Sequence, residues 1–401
     1  MTTETPYSVK NRADGDWITR LRRYIHSRPE TAGNEERTAR FIAKKLEQLG
    51  MREIRTGIAG HGLIALLGPK SEGPVVALRA DMDALPVEEQ TDVSFTSQHP
   101  GVMHACGHDA HMAILLGATR ILKEMEDCLP GRVLLLFQPA EENSPTGGAQ
   151  PMIEEGALTD PRPDAIFGLH VWPDLPVGQI GVKPDFQMGA SDRFEIHIHG
   201  QGGHASMPHR TIDASLIAVQ VAQCLQTVVS RNVNPLETAV LSITSIQAGE
   251  NHNVIPGYAR LTGSVRTLKS EIRNLMENRL REVAIDVTRA MGAEAKVHYE
   301  RGYQVLHNDP AMVETVKTTA RDLLGDTSLP LIEPALAAED FSAYLKEVPG
   351  AFFWLGCGFS EESKNFSLHH PRFLVDERAL PLGAEMMAGT AIRFLREKAH
   401  G

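Results

Sequence analysis

Apolar and polar positions repeat with two different periods along the first 170 residues. Residues 15–27 and 34–49 carry apolar side chains at helical spacing (Trp17, Ile18, Leu21 and Ile25, then Phe41, Ile42, Leu46 and Leu49). Arg28-Pro29 separates the two segments and Gly50 closes the second. Short runs at 63–67, 75–79, 133–137 and 165–169 are rich in Val, Ile and Leu and nearly free of polar residues, which predicts strands covered on both faces. Helical patterns over 109–125 and 150–155 lie between them. The alternation predicts an α/β fold with a mixed sheet flanked by helices.

From Gly189 the pattern changes. Residues 191–199 alternate, with Phe194, Ile196 and Ile198 against Glu195, His197 and His199, as in a strand with one solvated face. A helix over 213–229, strands at 239–247 and 260–266, a helix over 270–291 and a strand near 295–299 follow. The α/β pattern then resumes, with helices near 310–324 and 379–395 around a strand at 351–355. The simplest organisation is a smaller α+β (βαββαβ) domain over 189–301 inserted into a larger domain made of 1–188 and 302–401. The length of 401 residues also exceeds what one hydrophobic core usually supports.

Composition then narrows the partners. An apolar content of 42% with 23% charged residues is that of a globular protein. A net charge of -11 opposes a phosphate backbone, and no Lys/Arg cluster with interleaved aromatics stands out, so no nucleic-acid partner is expected. Cys106, Cys128, Cys224 and Cys357 are widely spaced without a CxxC pair, as in a reduced, cytoplasmic protein. The first residues lack the apolar segment of a signal peptide, and no stretch approaches the roughly 18 apolar residues of a membrane span.

The densest chemistry is the run 103–111, which holds Cys106, His104, His108 and His111 around the turn residue Gly107. Each alone reads as a core histidine or buried cysteine. Together, a thiol and imidazoles this close suit a borderline divalent ion such as Zn²⁺, with Cys106 and His108 as the first candidates. His104 and His111 fit better as hydrogen-bonding supports of the ligands. Asp81 and Asp83 follow the run 75–79, Glu141 and Glu142 follow 133–137, and His170 follows 165–169. All therefore fall at carboxyl ends of strands, where open α/β sheets keep their ligands. Two adjacent carboxylates after a buried strand are costly unless they meet cations; one can bind metal while its neighbour handles protons. His369 and His370 add a further donor, and spacing does not say which. In the inserted domain, His204 stands among Gly200, Gly202 and Gly203, Asn253 precedes Val254-Ile255-Pro256, and Arg266 ends a strand, where its fork suits a carboxylate.

Taken together, RADMDALPVEE (79–89), MHACGHDAHMA (103–113), FQPAEE (137–142), GLHVWP (168–173), GQGGHASMPH (200–209), NVIPGYARLTGSVR (253–266), AAEDFSAY (337–344) and LHHPRF (368–373) resemble the metal-dependent aminoacylase, carboxypeptidase and hippurate hydrolase family. The branch they resemble is that of bacterial N-acyl-amino-acid amidohydrolases and plant auxin-conjugate hydrolases. The resemblance implies Cys106, His108, Glu142, His170 and His369 as ligands of two divalent ions, Zn or Mn, with Co or Ni as further candidates. It implies Glu141 as general base, His204 as oxyanion donor and Asn253 and Arg266 as substrate contacts. Asp83 would buttress a metal ligand, and Asp81 stands where other branches carry a ligating histidine. It further implies that the inserted domain acts as lid and dimerisation element, with His204 reaching the site of the partner subunit in a homodimer or higher homo-oligomer.

The reading is a metal-dependent amidohydrolase of small N-acyl amino acids. Its rivals are a dipeptidase or carboxypeptidase on unblocked peptides, and a metal-binding relative without turnover. The sequence leaves the acyl group open.

Overall fold

A computed structural model describes residues 8–69 and 73–400, and the chain divides into two compact units. The first contains the residues up to Gln187 with His307–Glu333 and those from Asp340 onward; the second contains Met188–Leu306 with Pro334–Glu339.

In the first unit, helices α1 (Gly15–His26) and α2 (Glu36–Gln48) precede strands β1 (Glu53–Ile58), β2 (Gly62–Leu67) and β3 (Val75–Asp81). Then come α3 (His108–Glu124), β4 (Arg132–Gln138), α4 (Ala149–Glu154), β5 (Ala165–Pro176), β6 (Ile180–Gly181) and β7 (Asp185–Met188). The Asp14 carboxylate caps α1 by accepting from Trp17 N at 3.0 Å, and Ile18, Leu21 and Ile25 form its buried stripe. All seven residues of β3 are buried, as the unbroken apolar run requires of a central strand.

The second unit holds β8 (Ala190–His199), β9 (Gly203–His204), α5 (Ala214–Asn232), β10 (Ala239–Ala248), β11 (Val254–Ile255), β12 (Tyr258–Thr267), α6 (Ser270–Ala290) and β13 (Glu294–Arg301). Its sheet is antiparallel in the order β10-β12-β8-β13, and Phe194, Ile196 and Ile198 pack into the core that α5 and α6 close. The chain then runs through β14 (Leu306–Asn308), which pairs with β7, and on through α7 (Pro310–Leu324), α8 (Tyr344–Glu347), β15 (Gly350–Gly358) and α9 (Ala379–His400).

The sheet of the first unit runs β1-β2-β4-β3-β5-β15-β6. Its centre is parallel (β4, β3, β5, β15), while β1, β2 and β6 join antiparallel, so the sheet is mixed. Helix α3 lies between α1, α9 and β3, and it approaches α1 across Gly117. A Cβ there would stand 2.6 Å from Ile18 Cδ1, closer than any side chain tolerates.

Two expectations need correction. The edge strand β1 escapes a reading of apolar runs because its burial pattern is mostly exposed. His170 does not follow a strand: β5 continues to Pro176 because β15 supplies partners after pairing with β3 ends at Gly168. His170 therefore sits on extended backbone, in register with Trp354. No helix among the described residues is long and apolar enough to cross a membrane.

Candidate metal centre

The connection from β3 to α3, the β4–α4 loop, β5 and the segment before α9 bring six donor side chains together. The ligand atoms of Cys106, His108 and His170 lie within 4.8 Å of one another, as do those of Cys106, Glu142 and His369, and those of His108, Glu141 and Glu142. These triads share members, so they form one continuous cluster with more donors than a single tetrahedral ion uses. Cys106 Sγ lies 3.3 Å from both His170 Nε2 and His369 Nε2, and His369 Nε2 lies 3.1 Å from Glu142 Oε1.

Local backbone geometry aims these groups. Gly107, at φ 89°, turns the chain between Cys106 and His108 and caps α3; a Cβ there would collide with Val171. His369 adopts φ 66°, a left-handed conformation unusual for a non-glycine residue, and its N–H donates to Ala105 O at 2.8 Å. Its imidazole therefore faces Cys106. His370 points elsewhere: its Nδ1 accepts from Arg372 N at 3.0 Å and its ring stacks on Phe366.

Hydrogen bonds fix the tautomers. A carbonyl oxygen only accepts, so Nδ1 carries the proton where His170 meets Val171 O (2.7 Å) and where His108 meets Asp83 O (2.8 Å). In the neutral ring each Nε2 then carries the lone pair. His108 Nε2 is buried without a hydrogen-bond partner, 3.7 Å from Asp81 Oδ2. An orphaned buried group of this kind costs about 1–3 kcal/mol unless a ligand takes it.

Asp83 holds the acidic pair from behind, its carboxylate accepting from Glu141 N (3.1 Å) and Glu142 N (2.9 Å). The Glu35 carboxylate accepts from Ala140 N at 2.8 Å, where Ala140 adopts φ 57° to turn the loop. Asp81 has a ligand atom within 4.8 Å of those of His108 and His111, and both its oxygens already accept hydrogen bonds. It accepts from His111 Nδ1 at 2.6 Å and from the Arg79 guanidinium at 2.7 Å. His111 Nε2 in turn accepts from Val171 N at 2.9 Å, so both its nitrogens are engaged. Arg79 also bonds Asp340 at 2.8 Å, and Asp340 accepts from Gly148 N and Ala149 N, tying the ends of β3 and β4 to α4. His104 is buried, with both ring nitrogens lacking hydrogen-bond partners, and it belongs to no metal-capable group among the described residues. Sequence reasoning does not single out Glu35, Arg79 or Asp340; their one signal is a charged residue inside or beside an apolar segment.

The charges agree with a cation site. Burial, Glu142, Glu141 and Asp81 push the Cys106 thiol well above its ordinary value. Burial opposes protonation of His108, yet Asp81, Asp83 and Glu142 outweigh it and push the imidazole up to about 10. For Glu142, burial is outweighed by His369 and His108, which keep the carboxyl below its usual range. A dication at this cluster would reverse the thiol and imidazole shifts, since thiolate and neutral imidazole are the ligating forms. Donor types, crowding and the orphaned nitrogen all fit two divalent ions.

In the second unit, β9 pairs with β11 so that His204 opposes Val254, and Ala205 N donates to Asn253 O at 3.0 Å. His204 and Asn253 thus form one exposed corner. His204 Nδ1 accepts from Ser206 N at 3.1 Å, which leaves the proton on Nε2 in the neutral ring. Arg266, on β12, is half-buried, makes no ion pair among the described residues, and its pKa is lowered by burial.

A thiol, imidazoles and carboxylates brought together from the strands, loops and helix start of a mixed α/β sheet define a metallohydrolase centre. The chain belongs to peptidase family M20/M25/M40, whose signature spans residues 77–393, and it is an amidohydrolase of that family. It is 42% identical over 377 residues to the N-acetyl-L-cysteine deacetylase of Bacillus subtilis, covering 94% of this chain and 87% of that protein. It is 38% identical to thermostable carboxypeptidase 2 of Saccharolobus solfataricus, over 94% of this chain and 95% of the relative. The crystal structure of the Bacillus subtilis YXEP protein, described as a dinuclear metal-binding peptidase, superposes with a TM-score of 0.83 at 35% identity, covering 95% and 98% of the two chains.

Proposed function

We propose that the protein hydrolyses the amide bond of N-acyl amino acids, releasing a carboxylate and a free amino acid. The observation that carries this reading is the pairing of a donor cluster with an adjacent buried carboxylate, Glu141, whose backbone Asp83 fixes. Cys106, His108, Glu142, His170 and His369 would hold two divalent ions, which supply a polarised amide carbonyl and water of lowered pKa. Glu141 takes the proton of the attacking water and delivers it to the departing amine nitrogen. His204, with its proton on Nε2, donates to the developing oxyanion. Asn253 contacts the substrate beside it, and Arg266 holds the α-carboxylate; that it makes no ion pair among the described residues supports that role.

The protein works as a homodimer in this reading, the second unit of one copy supplying His204 to its partner. Strand β10 is an outer strand of its sheet with Val240 and Ile246 exposed, and α5 exposes Leu216 and Val219 on a helix without charge from Ala214 to Ser230. Turnover of N-acetyl, benzoyl and indole-acetyl amino acids against an unblocked dipeptide tests the substrate class. Release of amino acid from acylated substrates is expected; cleavage of the dipeptide alone would overturn the reading in favour of a peptidase.

A further inference from the structure

Helix α1 buries two basic residues against the metal-ligand segment, and neither is used in the chemistry above. His26 is 1% exposed. Its Nδ1 lies 2.8 Å from Asp109 Oδ2 and its Nε2 lies 3.2 Å from Glu89 Oε1. A neutral imidazole has one N–H, so two carboxylate acceptors require both ring nitrogens to be protonated. Arg22 Nε donates to the same Asp109 oxygen at 2.7 Å and its guanidinium reaches Glu377 at 3.3 Å, which Arg23 also binds. Phe95 packs its edge on the His26 ring, and the ring of His104 lies 6.5 Å away. Three cations (Arg22, Arg23, His26) thus meet three carboxylates (Glu89, Asp109, Glu377).

Both partners of His26 adjoin ligands. Asp109 follows His108 in the first turn of α3. Glu89 organises the long connection ahead of Cys106, accepting from Ser97 N at 2.6 Å and from Thr91 Oγ1. The next residue, Gln90, donates its N–H to Pro371 O at 2.8 Å, two residues from His369. One imidazolium therefore joins α1 to both sides of the site: the α3 end that carries His108 and the segment that carries His369.

We infer that His26 is a positioning residue, an imidazolium pin between Asp109 and Glu89 that holds the ligand segments in register for the two metal ions. The inference rests on the ligand assignment proposed above. Loss of the His26 charge leaves the buried Asp109 with Arg22 alone and removes the cation from Glu89, so the connection carrying Glu89 loosens. Burial and the Arg22 guanidinium, 3.5 Å from Nδ1, disfavour the charge, but Asp109 outweighs them with help from Glu89, so the pKa is raised. A raised folded-state pKa gives a stabilisation that is complete below the ordinary value near 6.5 and lost as pH climbs through the higher folded value. Proton competition at metal ligands works with the opposite sign, slowing metal release as pH rises.

The test is the rate at which metal-loaded enzyme surrenders Zn²⁺ to a chromophoric chelator between pH 6 and 9, for the native chain, His26→Gln and Glu89→Gln, with thermal unfolding as the check on folding. The native rate is expected to rise in one step above neutral pH. His26→Gln should release metal roughly tenfold faster at pH 6.5 and lack that step. Unchanged release from folded His26→Gln, or a step that survives in it, overturns the inference. Should His26→Gln fail to fold, Glu89→Gln decides by its release rate alone: faster release at pH 6.5 from the folded variant is expected, and unchanged release overturns the inference. A native chain that retains no metal would instead refute the ligand assignment itself.

Discussion

Asp81 accepts the Nδ1 proton of His111 across 2.6 Å, and both residues are held by further hydrogen bonds. Arg79 occupies the other Asp81 oxygen, and the Val171 amide occupies the other His111 nitrogen, next to His170. In the proposed ligand assignment the pair orients His170 and is not itself a ligand. His111→Ala and Asp81→Asn should each weaken metal affinity by about 10–100-fold in chelator competition, with the full complement of ions still binding at saturation. Cys106→Ala should lower the stoichiometry.

Asp83 fixes the loop of the proposed base, Glu141. Its two carboxylate oxygens take the backbone amides of Glu141 and Glu142, while its own carbonyl orients His108. Asp83→Ala frees that loop and should reduce kcat about 10–100-fold without unfolding the chain. Glu141→Gln should leave metal binding intact and cost about 10²–10⁴-fold in kcat. Steady-state kinetics beside metal analysis separates the two.

Arg266 makes no ion pair among the described residues, so its effect should appear in substrate binding. Arg266→Ala should raise KM for an N-acyl amino acid by the worth of a charged hydrogen bond, about 1.5–3 kcal/mol. The same substrate with an amidated carboxyl should show little change. A KM comparison of free acid and amide checks this.

Asp109 is buried between Arg22 and His26. Burial opposes its charge, yet Arg22 and His26 hold the carboxyl well below the usual carboxylate range. A depressed folded-state pKa means stability present above the unfolded value near 3.9 and lost as pH falls from there through the lower folded value. The native chain should therefore lose this contribution progressively as pH falls below about 4, and Asp109→Asn should cost about 3–5 kcal/mol in denaturant unfolding at neutral pH by stranding two cations.

The chemistry is more legible in the sequence than the architecture that supports it. Cys106, His108, Glu141 and Glu142 stand out because acids and soft ligands beside buried apolar strands are costly unless a cation meets them. The choice between His369 and His370 is not readable, because it depends on a left-handed backbone at His369 and the bond from its amide to Ala105. His170 looks like a residue past a strand end because β15, its pairing partner, lies about 180 residues later in the chain. His26 and Glu35 carry no sequence signal: each is a single polar residue on or next to an amphipathic helix, and only tertiary contacts reveal its carboxylate or amide partner. Asp340 likewise acquires meaning only once β3, β4 and α4 converge on it.

The most direct measurement is amino-acid release from an N-acetyl amino acid as Zn²⁺ or Mn²⁺ is titrated into stripped enzyme, followed together with bound metal per chain. Two ions per chain, with full activity only as the second equivalent binds and none in Glu141→Gln, is the predicted result. Full activity in stripped enzyme, or two bound ions with no turnover of any acylated amino acid, would contradict it.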